Sequence, residues 1–99
     1  MKLPSALELQ LLAILSEQGM SSGRDVAHAF KAATGKSISY GTLYTTFRRM
    51  KEQQWVQICE DQDEDGRIRM FELDHSGKAA LRRARRYYLS LAEFAVSKA

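Results

Sequence analysis

The chain has 99 residues, of which 44% are hydrophobic and 27% charged, with six glycines and one proline. This composition predicts one folded domain and excludes a disordered or collagen-like chain. No run of about 18 apolar residues is present, and no signal-peptide layout opens the chain, so neither a membrane span nor secretion is expected. A single cysteine, Cys59, excludes an internal disulfide and a cysteine-built zinc site, and we expect a cytoplasmic protein.

The net charge of +3 conceals an uneven distribution. Residues 60–65 contain five of the twelve acidic residues and no basic one. The rest of the chain has fifteen basic and seven acidic residues, a net charge of +8. A basic body of this size favours a polyanionic partner, although many small basic proteins bind nothing acidic.

The first predicted element is a helix with apolar residues on two sides. One side carries Leu7, Leu11, Ile14 and Leu15, and the opposite side carries Leu9, Leu12 and Ala13. Because so small a domain has little material to cover both sides, we expect this helix to self-associate. The alternative is that both sides are buried within one chain.

Two short helices follow, and serines are available to cap both. The serines at positions 21 and 22 precede apolar residues at helical spacing from Val26 to Ala33, which predict the second helix. We expect this helix to end at Gly35, where a left-handed residue is favoured. Ser39 is then the predicted cap of a third helix, which spans about Tyr40 to Gln53.

Strand patterns occur only after the third helix. Residues 55–59 and 67–73 are β-type runs, and the second run alternates polar and apolar residues. The polar segment 60–66 between them ends in Asp-Gly, which predicts a hairpin with an exposed acidic loop. Asp74 then caps a long final helix over about residues 75–97.

The order of helix, helix, helix, hairpin and helix predicts a mainly α fold with a small β-hairpin wing. We assign residues 1–74 to a winged helix-turn-helix DNA-binding domain and residues 75–99 to a C-terminal dimerisation helix.

The third helix has the pattern of a DNA-reading element. Leu43, Phe47 and Met50 form an apolar ridge that faces the core. The opposite face carries hydroxyls, a glycine and arginines, with no acid before Glu52. A glycine within a helix costs about 1 kcal/mol relative to alanine, but it permits close approach to a DNA backbone. A solvated basic face is the alternative interpretation.

The predicted DNA interface extends from this helix to the preceding turn and to the hairpin. Arginine can bond the major-groove edge of guanine, and hydroxyls suit phosphates. In the hairpin, two arginines alternate with Ile68 and Met70, so we expect the base of the hairpin to touch the DNA backbone. The predicted contacts are Lys36, Ser37, Ser39, Tyr40, Gly41, Thr42, Tyr44, Thr45, Arg48, Arg49, Arg67 and Arg69.

The last helix carries an apolar seam that suggests helix packing between two chains. Its residues recur at alternating spacings of three and four. Together with the second side of the first helix, the predicted dimer interface consists of Leu9, Leu12, Leu81, Ala84, Tyr88, Leu91 and Ala95. Four arginines at positions 82, 83, 85 and 86 crowd the same helix. They either face phosphates or keep the helix solvated, and we favour solvation.

Three segments resemble the signature of PadR-family transcriptional regulators. They are residues 41–44 (Gly-Thr-Leu-Tyr) with Phe47, Arg49, Met50, Trp55 and Val56, residues 69–77 (Arg-Met-Phe-Glu-Leu-Asp-His-Ser-Gly), and residues 23–26 (Gly-Arg-Asp-Val). The departures are Arg24 for an aromatic residue, Thr45 for proline, Gln54 for glycine and Asp74 for threonine. The resemblance implies homodimeric DNA-binding repressors, some of which respond to small aromatic or drug-like ligands.

The sequence therefore predicts a transcriptional regulator, a repressor that binds double-stranded DNA as a homodimer on a near-palindromic operator. No catalytic set, cofactor motif or metal-ligand spacing is present, so an enzyme is not expected. No motif matches the ligand sites of the family, which leaves a small-molecule inducer open. The alternative function is a winged-helix protein-interaction module that docks through its acidic hairpin.

Overall fold

The computed structural model describes residues 2–63 and 66–98, without the side chains of residues 61–63, 97 and 98. In chain order the elements are α1 (Ala6–Gln18), β1 (Ser21–Ser22), α2 (Gly23–Thr34), α3 (Tyr40–Glu52), β2 (Val56–Asp63), β3 (Gly66–Leu73) and α4 (His75–Lys98). This order confirms the predicted winged helix fold with a C-terminal helix. In the described part of the chain, no helix has both the length and the apolar character needed to cross a membrane.

Serine side chains begin the first three helices. The Ser5 hydroxyl accepts a hydrogen bond from the Glu8 amide at 3.2 Å, and the Glu8 carboxylate accepts one from the Ser5 amide at 2.8 Å. Ser22 caps α2 and Ser39 caps α3, each accepting a hydrogen bond from a first-turn amide at 3.1 Å. Gly35 ends α2 with a φ of 75°. The predicted boundaries of α2 and α3 are therefore set by short-range hydrogen bonds.

The sheet is antiparallel, with strand order β1-β3-β2. In the register of the hairpin, Val56 lies opposite Leu73 and Asp63 lies opposite Gly66. The prediction of an acidic loop over residues 60–66 is wrong for most of that segment, because residues 60–63 pair with residues 66–69. Backbone pairing extends through these polar residues, since every residue carries a backbone donor and acceptor whatever its side chain. The predicted tip at residues 64 and 65 lies outside the described residues.

Strand β1 was not predicted from the sequence. Its two serines have no strand pattern, and Ser21 lies opposite Phe71 in β3. A two-residue edge strand forms only because it pairs with a neighbouring strand, so the local sequence shows no alternating pattern that would predict it.

One apolar core joins the helices to the sheet. The predicted ridge of Leu43, Phe47 and Met50 is confirmed, since each of these side chains is 0% exposed. Trp55 is 4% exposed and belongs to the same core. The remaining buried members are Leu11, Leu12, Leu15, Val26, Phe30, Val56, Phe71, Ala80 and Leu81.

Packing of α4 corrects the predicted dimer interface. Helix α1 contacts α2, α4 and β3 within one chain, so its two apolar sides are largely covered. Leu12 and Ala84 are 0% exposed and Leu81 is 4% exposed. These three side chains have no surface left for a partner, and we remove them from the predicted interface.

The two halves of α4 have different surroundings. Its first half packs on the core, and the Tyr88 hydroxyl donates a hydrogen bond to the Pro4 carbonyl at 3.2 Å. Beyond Tyr88, the exposed fractions rise to 62% at Leu89, 47% at Leu91 and 75% at Val96. The second half of α4 therefore presents apolar surface to solvent.

Candidate nucleic-acid interface

Helix α3 presents the predicted polar face to solvent. Gly41, Thr45 and Arg48 are exposed and lie on one side of the helix, because they are spaced at i, i+4 and i+7. Thr42 is also exposed, next to this side. These residues form one continuous surface, and their contact with DNA stays a prediction.

The turn before α3 holds three further predicted residues. Lys36 and Ser37 are exposed in the connection that leads into the helix. The Ser39 hydroxyl accepts a hydrogen bond from the Thr42 amide and donates one to the Thr42 hydroxyl at 3.0 Å. Ser39 therefore stabilises the first turn of α3, and this role does not depend on whether Ser39 also contacts DNA.

A cleft, which we call the wing cleft, lies beside the start of α3. Its volume is about 430 Å³, and it is open to solvent. Helix α2 contributes its first turn, α3 contributes two tyrosines, and β3 contributes two arginines. The lining residues are Ser22, Gly23, Arg24, Tyr40, Tyr44, Arg67, Ile68 and Arg69.

Tyr44 connects the three elements of the wing cleft. Its ring lies 5.7 Å from the ring of Phe71, between centroids, and 6.3 Å from the ring of Tyr40. The Arg69 guanidinium carbon lies 5.7 Å from the centroid of Tyr44, within the range of a cation–π contact. A Cβ added at Gly23 would lie 2.8 Å from the Tyr44 hydroxyl. Tyr44, predicted as a phosphate contact, therefore also packs α2 and β3 against α3.

The two arginines of β3 share one face of the strand. Alternation places Arg67 and Arg69 on the same face as the buried Phe71. In the register, Glu60 of β2 lies opposite Arg69. The Glu60 carboxylate lies 3.5 Å from a terminal nitrogen of Arg67. An acid and two bases thus meet at the edge of the wing cleft.

Arg49 lies away from the wing cleft. It lines a second cleft, of about 510 Å³, with the N-terminal segment and the tyrosines of α4. Lys2, Tyr87 and Tyr88 are among its neighbours there. The predicted interface therefore divides, with Arg48 on the central face of α3 and Arg49 on the side toward α4.

Arg24 is the charged residue lining the wing cleft that was not predicted from the sequence as a DNA contact. It lies in the first turn of α2 and is exposed. Two signals could have identified it, namely its place two residues after the Ser22 cap and its departure from the aromatic residue of the family pattern. Its proximity to β3 depends on the tertiary fold, which periodicity does not reveal.

The described residues contain no group of three histidine, cysteine, aspartate or glutamate side chains that could hold a metal ion. His28 and His75 are exposed. Cys59 is half-buried, and its thiol donates to the Met70 carbonyl at 3.7 Å. This contact lies within the hairpin and stabilises the pairing of β2 with β3.

The fold is similar to solved structures of transcription regulators. A PadR family regulator from Clostridium difficile superposes with a TM-score of 0.78 at 17% identity, covering 91% of this chain and 94% of that one. A PadR-like regulator from Bacillus cereus gives 0.80 at 15% identity, covering 92% and 88%. Bacillus subtilis PadR, solved in complex with operator DNA, gives 0.71 at 22% identity, covering 80% and 46%.

The sequence comparisons agree with this similarity of fold. No curated protein sequence matches the chain. A family model described as the transcriptional regulator PadR-like family matches residues 11–83, which is more than half of the chain. This range includes α2, α3, the wing, the signature segments and parts of α1 and α4. The chain therefore belongs to the PadR-like family of transcriptional regulators.

Proposed function

We propose that the protein is a homodimeric repressor that reads a near-palindromic operator with α3. The observation that carries this proposal is the continuous exposed face of Gly41, Thr45 and Arg48 beside the arginine-lined wing cleft. The related PadR of Bacillus subtilis was solved with operator DNA, which supports DNA as the partner. This function requires no cofactor and no catalytic step. We propose that the protein acts in the cytoplasm.

Helix α3 has the surface that a major groove admits. The groove is about 12 Å wide and accepts an α-helix. Arg48 lies at the C-terminal end of the exposed row of Gly41, Thr45 and Arg48, and a guanidinium can bond O6 and N7 of guanine. Gly41 adds no side chain there, and nothing lies within 4 Å of a Cβ built on it. The backbone of α3 can therefore approach DNA closely at this position.

The wing and the preceding turn supply the contacts to the DNA backbone in this proposal. Arg67 and Arg69 lie beside the start of α3, and Lys36 lies in the turn that enters the helix. Contacts to phosphate fix the register of a protein on DNA, and contacts to bases provide the specificity. Residues 1–74 would then form the DNA-binding unit.

The second half of α4 is the proposed dimer contact. Leu91 is 47% exposed, Tyr88 is half-buried and Ala95 is exposed. Leu9 of α1 is half-buried and remains in the proposed interface. Exposed apolar residues on a helix that continues past its own core favour a second helix as their cover. A two-fold dimer would present its two α3 helices about 34 Å apart, one turn of DNA.

The test of this proposal is selection of binding sites from randomised duplex DNA. The selected sequences should contain two inverted half-sites, and the operator should bind more tightly than random duplex. Fluorescence anisotropy on Arg48→Ala should then give a loss of about 1–3 kcal/mol and a relaxed base preference at one position per half-site. Arg86→Ala, the same charge change on the exposed side of α4, is the matched control.

Arg49→Ala has a different expected result. Arg49 lines the second cleft rather than the central face of α3, so we expect it to contact a phosphate rather than a base. Its loss should therefore lower the affinity for operator and for random DNA equally. No enrichment in the selection, together with unchanged binding in Arg48→Ala, would contradict the proposal. That pair of results would favour the protein-interaction module instead.

A further inference from the structure

The wing cleft is built from cationic side chains on more than one element. Arg24 enters it from α2, and Arg67 and Arg69 enter it from β3. Tyr40 and Tyr44 of α3 complete the lining, and none of the described residues that line the cleft is acidic. A cleft of about 430 Å³ with three guanidinium groups has the volume and the charge for a phosphate group.

The three arginines differ in their partners. Arg67 is paired with Glu60 at 3.5 Å. Arg69 lies against the ring of Tyr44. Among the described residues, neither Arg24 nor Arg69 forms an ion pair. The cleft therefore holds two arginines whose charge no described carboxylate neutralises.

The packing of Tyr44 holds two walls of the cleft in place. Its hydroxyl lies against Gly23, next to Arg24, and its ring lies under Arg69. Arg69, which contacts the ring of Tyr44 before a ligand arrives, should lose less side-chain entropy on binding it than a free arginine. The Asp25 amide at the start of α2 is not available to a ligand, because the Ser22 hydroxyl already accepts its hydrogen bond.

We propose that the wing cleft binds one phosphate of the DNA backbone, and that Glu60 competes with this phosphate for Arg67. Arg24 is assigned as a phosphate contact, a role that neither the sequence pattern nor the comparisons give it. The inference rests on the proposed function, since it names the backbone contact of the same interface.

Glu60 sets how strongly the cleft attracts an anion. Its side chain is 57% exposed and that of Arg67 is 76% exposed, and exposed ion pairs are weak enough for a phosphate to displace them. After displacement the Glu60 charge stays beside the phosphate and opposes binding. Because the sugar-phosphate backbone is the same in every DNA sequence, Glu60 should lower the affinity for operator and for random DNA by the same factor.

The experiment measures wild-type protein and Arg24→Ala on operator duplexes, each with one methylphosphonate replacing a phosphate. In the wild type, neutralising the phosphate bound in the cleft should weaken binding about tenfold. In Arg24→Ala the same neutralisation should cost less, because one of the three charged partners of this phosphate is gone. The salt slope of Arg24→Ala should also be smaller by about 0.9. Arg86→Ala should keep the wild-type profile.

The competition by Glu60 is tested with a double-mutant cycle. Glu60→Gln should tighten binding to operator and to random DNA about threefold at low salt, and this gain should disappear in Arg67→Ala. Glu17→Gln, an exposed acid on α1, controls for the change in net charge. If Glu60→Gln still tightens DNA binding in the Arg67→Ala background, the gain in affinity is a long-range effect of charge. That result would overturn the proposed competition between Glu60 and the phosphate for Arg67.

Other outcomes separate the inference from the proposed function. If Arg24→Ala keeps the wild-type salt slope and methylphosphonate profile while Arg48→Ala still loses operator binding, the cleft is not a phosphate site and the function stands. Calorimetric titration of the protein with pyrophosphate alone tests whether the cleft binds a free phosphate compound rather than the DNA backbone. Tight, Arg24-dependent binding of pyrophosphate would assign the cleft to a free phosphate compound and overturn the assignment to the DNA backbone.

Discussion

Gly41 is the residue at which stability and function make opposite demands. It lies in the first turn of α3, is exposed, and has no atom within 4 Å of a built Cβ. Alanine is preferred over glycine in helices by about 1 kcal/mol. The same added methyl group would project from the surface that we propose approaches DNA.

Gly41→Ala should therefore raise the midpoint of thermal unfolding and lower operator affinity. The gain in stability is expected to be up to about 1 kcal/mol, read from denaturation curves at one protein concentration. Anisotropy should show at least a severalfold loss in affinity. Ser16→Ala, an exposed change on α1, should stabilise slightly and leave binding unchanged. Operator binding that is unaffected by Gly41→Ala would place the closest approach to DNA elsewhere on α3.

Gly23 shows the reverse case, in which a helical glycine is required by its neighbour. A Cβ there would lie 2.8 Å from the Tyr44 hydroxyl, and the ring of Tyr44 is itself held by Phe71. Gly23→Ala should destabilise the protein by about 1 kcal/mol, the cost of displacing packed atoms. In the Tyr44→Phe background, the same change should cost less, although two ring carbons would still lie 3.2 Å from the added Cβ. An equal cost in both backgrounds, measured by chemical denaturation, would show that the hydroxyl is not the obstacle.

At the scale of elements, α3 depends on one capping side chain. The Ser39 hydroxyl satisfies the Thr42 amide at 3.1 Å, and Ser37 lies two residues earlier in the same exposed turn. Ser39→Ala should cost about 1 kcal/mol, which lowers the unfolding midpoint by about 4–8 °C for a domain of this size. Ser37→Ala is the control and should change the midpoint little. Equal shifts in both variants would assign the effect to the turn rather than to the cap.

The wing is the element that the sequence described least well. Alternation in residues 67–73 predicted β3, and the apolar start of β2 was also evident. The polar residues 60–63 carry no such pattern, yet they pair through the backbone with β3. The pairing brings Glu60 beside Arg67, so the acids at the start of this segment belong to the structure of the wing rather than to a loop.

At the scale of the whole molecule, the second half of α4 decides the proposed assembly. Leu91 is 47% exposed in the single chain, so replacing it leaves the core intact. Leu91→Glu would bury a carboxylate at the proposed contact, at a cost of several kcal/mol per buried ion. Light scattering should give twice the chain mass of 11.2 kDa for the wild type and a monomer for this variant.

The dimer prediction has a close control in Ser90→Glu. Ser90 is exposed and lies next to Leu91, outside the apolar seam, so this variant should remain dimeric. Circular dichroism should show folded protein for both variants. A wild-type monomer at tens of micromolar, or a dimer of Leu91→Glu as stable as the wild type, would contradict the proposed interface.

The sequence by itself determined the helices, the serine caps of α2 and α3 and the inward ridge of α3. These features depend on contacts within one or two turns, such as the Ser39 cap and the spacing of Leu43, Phe47 and Met50. Hydrogen bonds and periodicity of this range are visible in the order of residues.

Only the tertiary structure decided which surfaces remain for partners. Leu12 and Leu81 have the pattern of interface residues, but packing of α4 on α1 buries them within one chain. Arg24 and Arg69 likewise line one cleft, because Tyr44 packs between α2 and β3. The physical reason is the same in both cases. Apolar periodicity shows that a face must be buried, and it does not specify the distant segment that buries it.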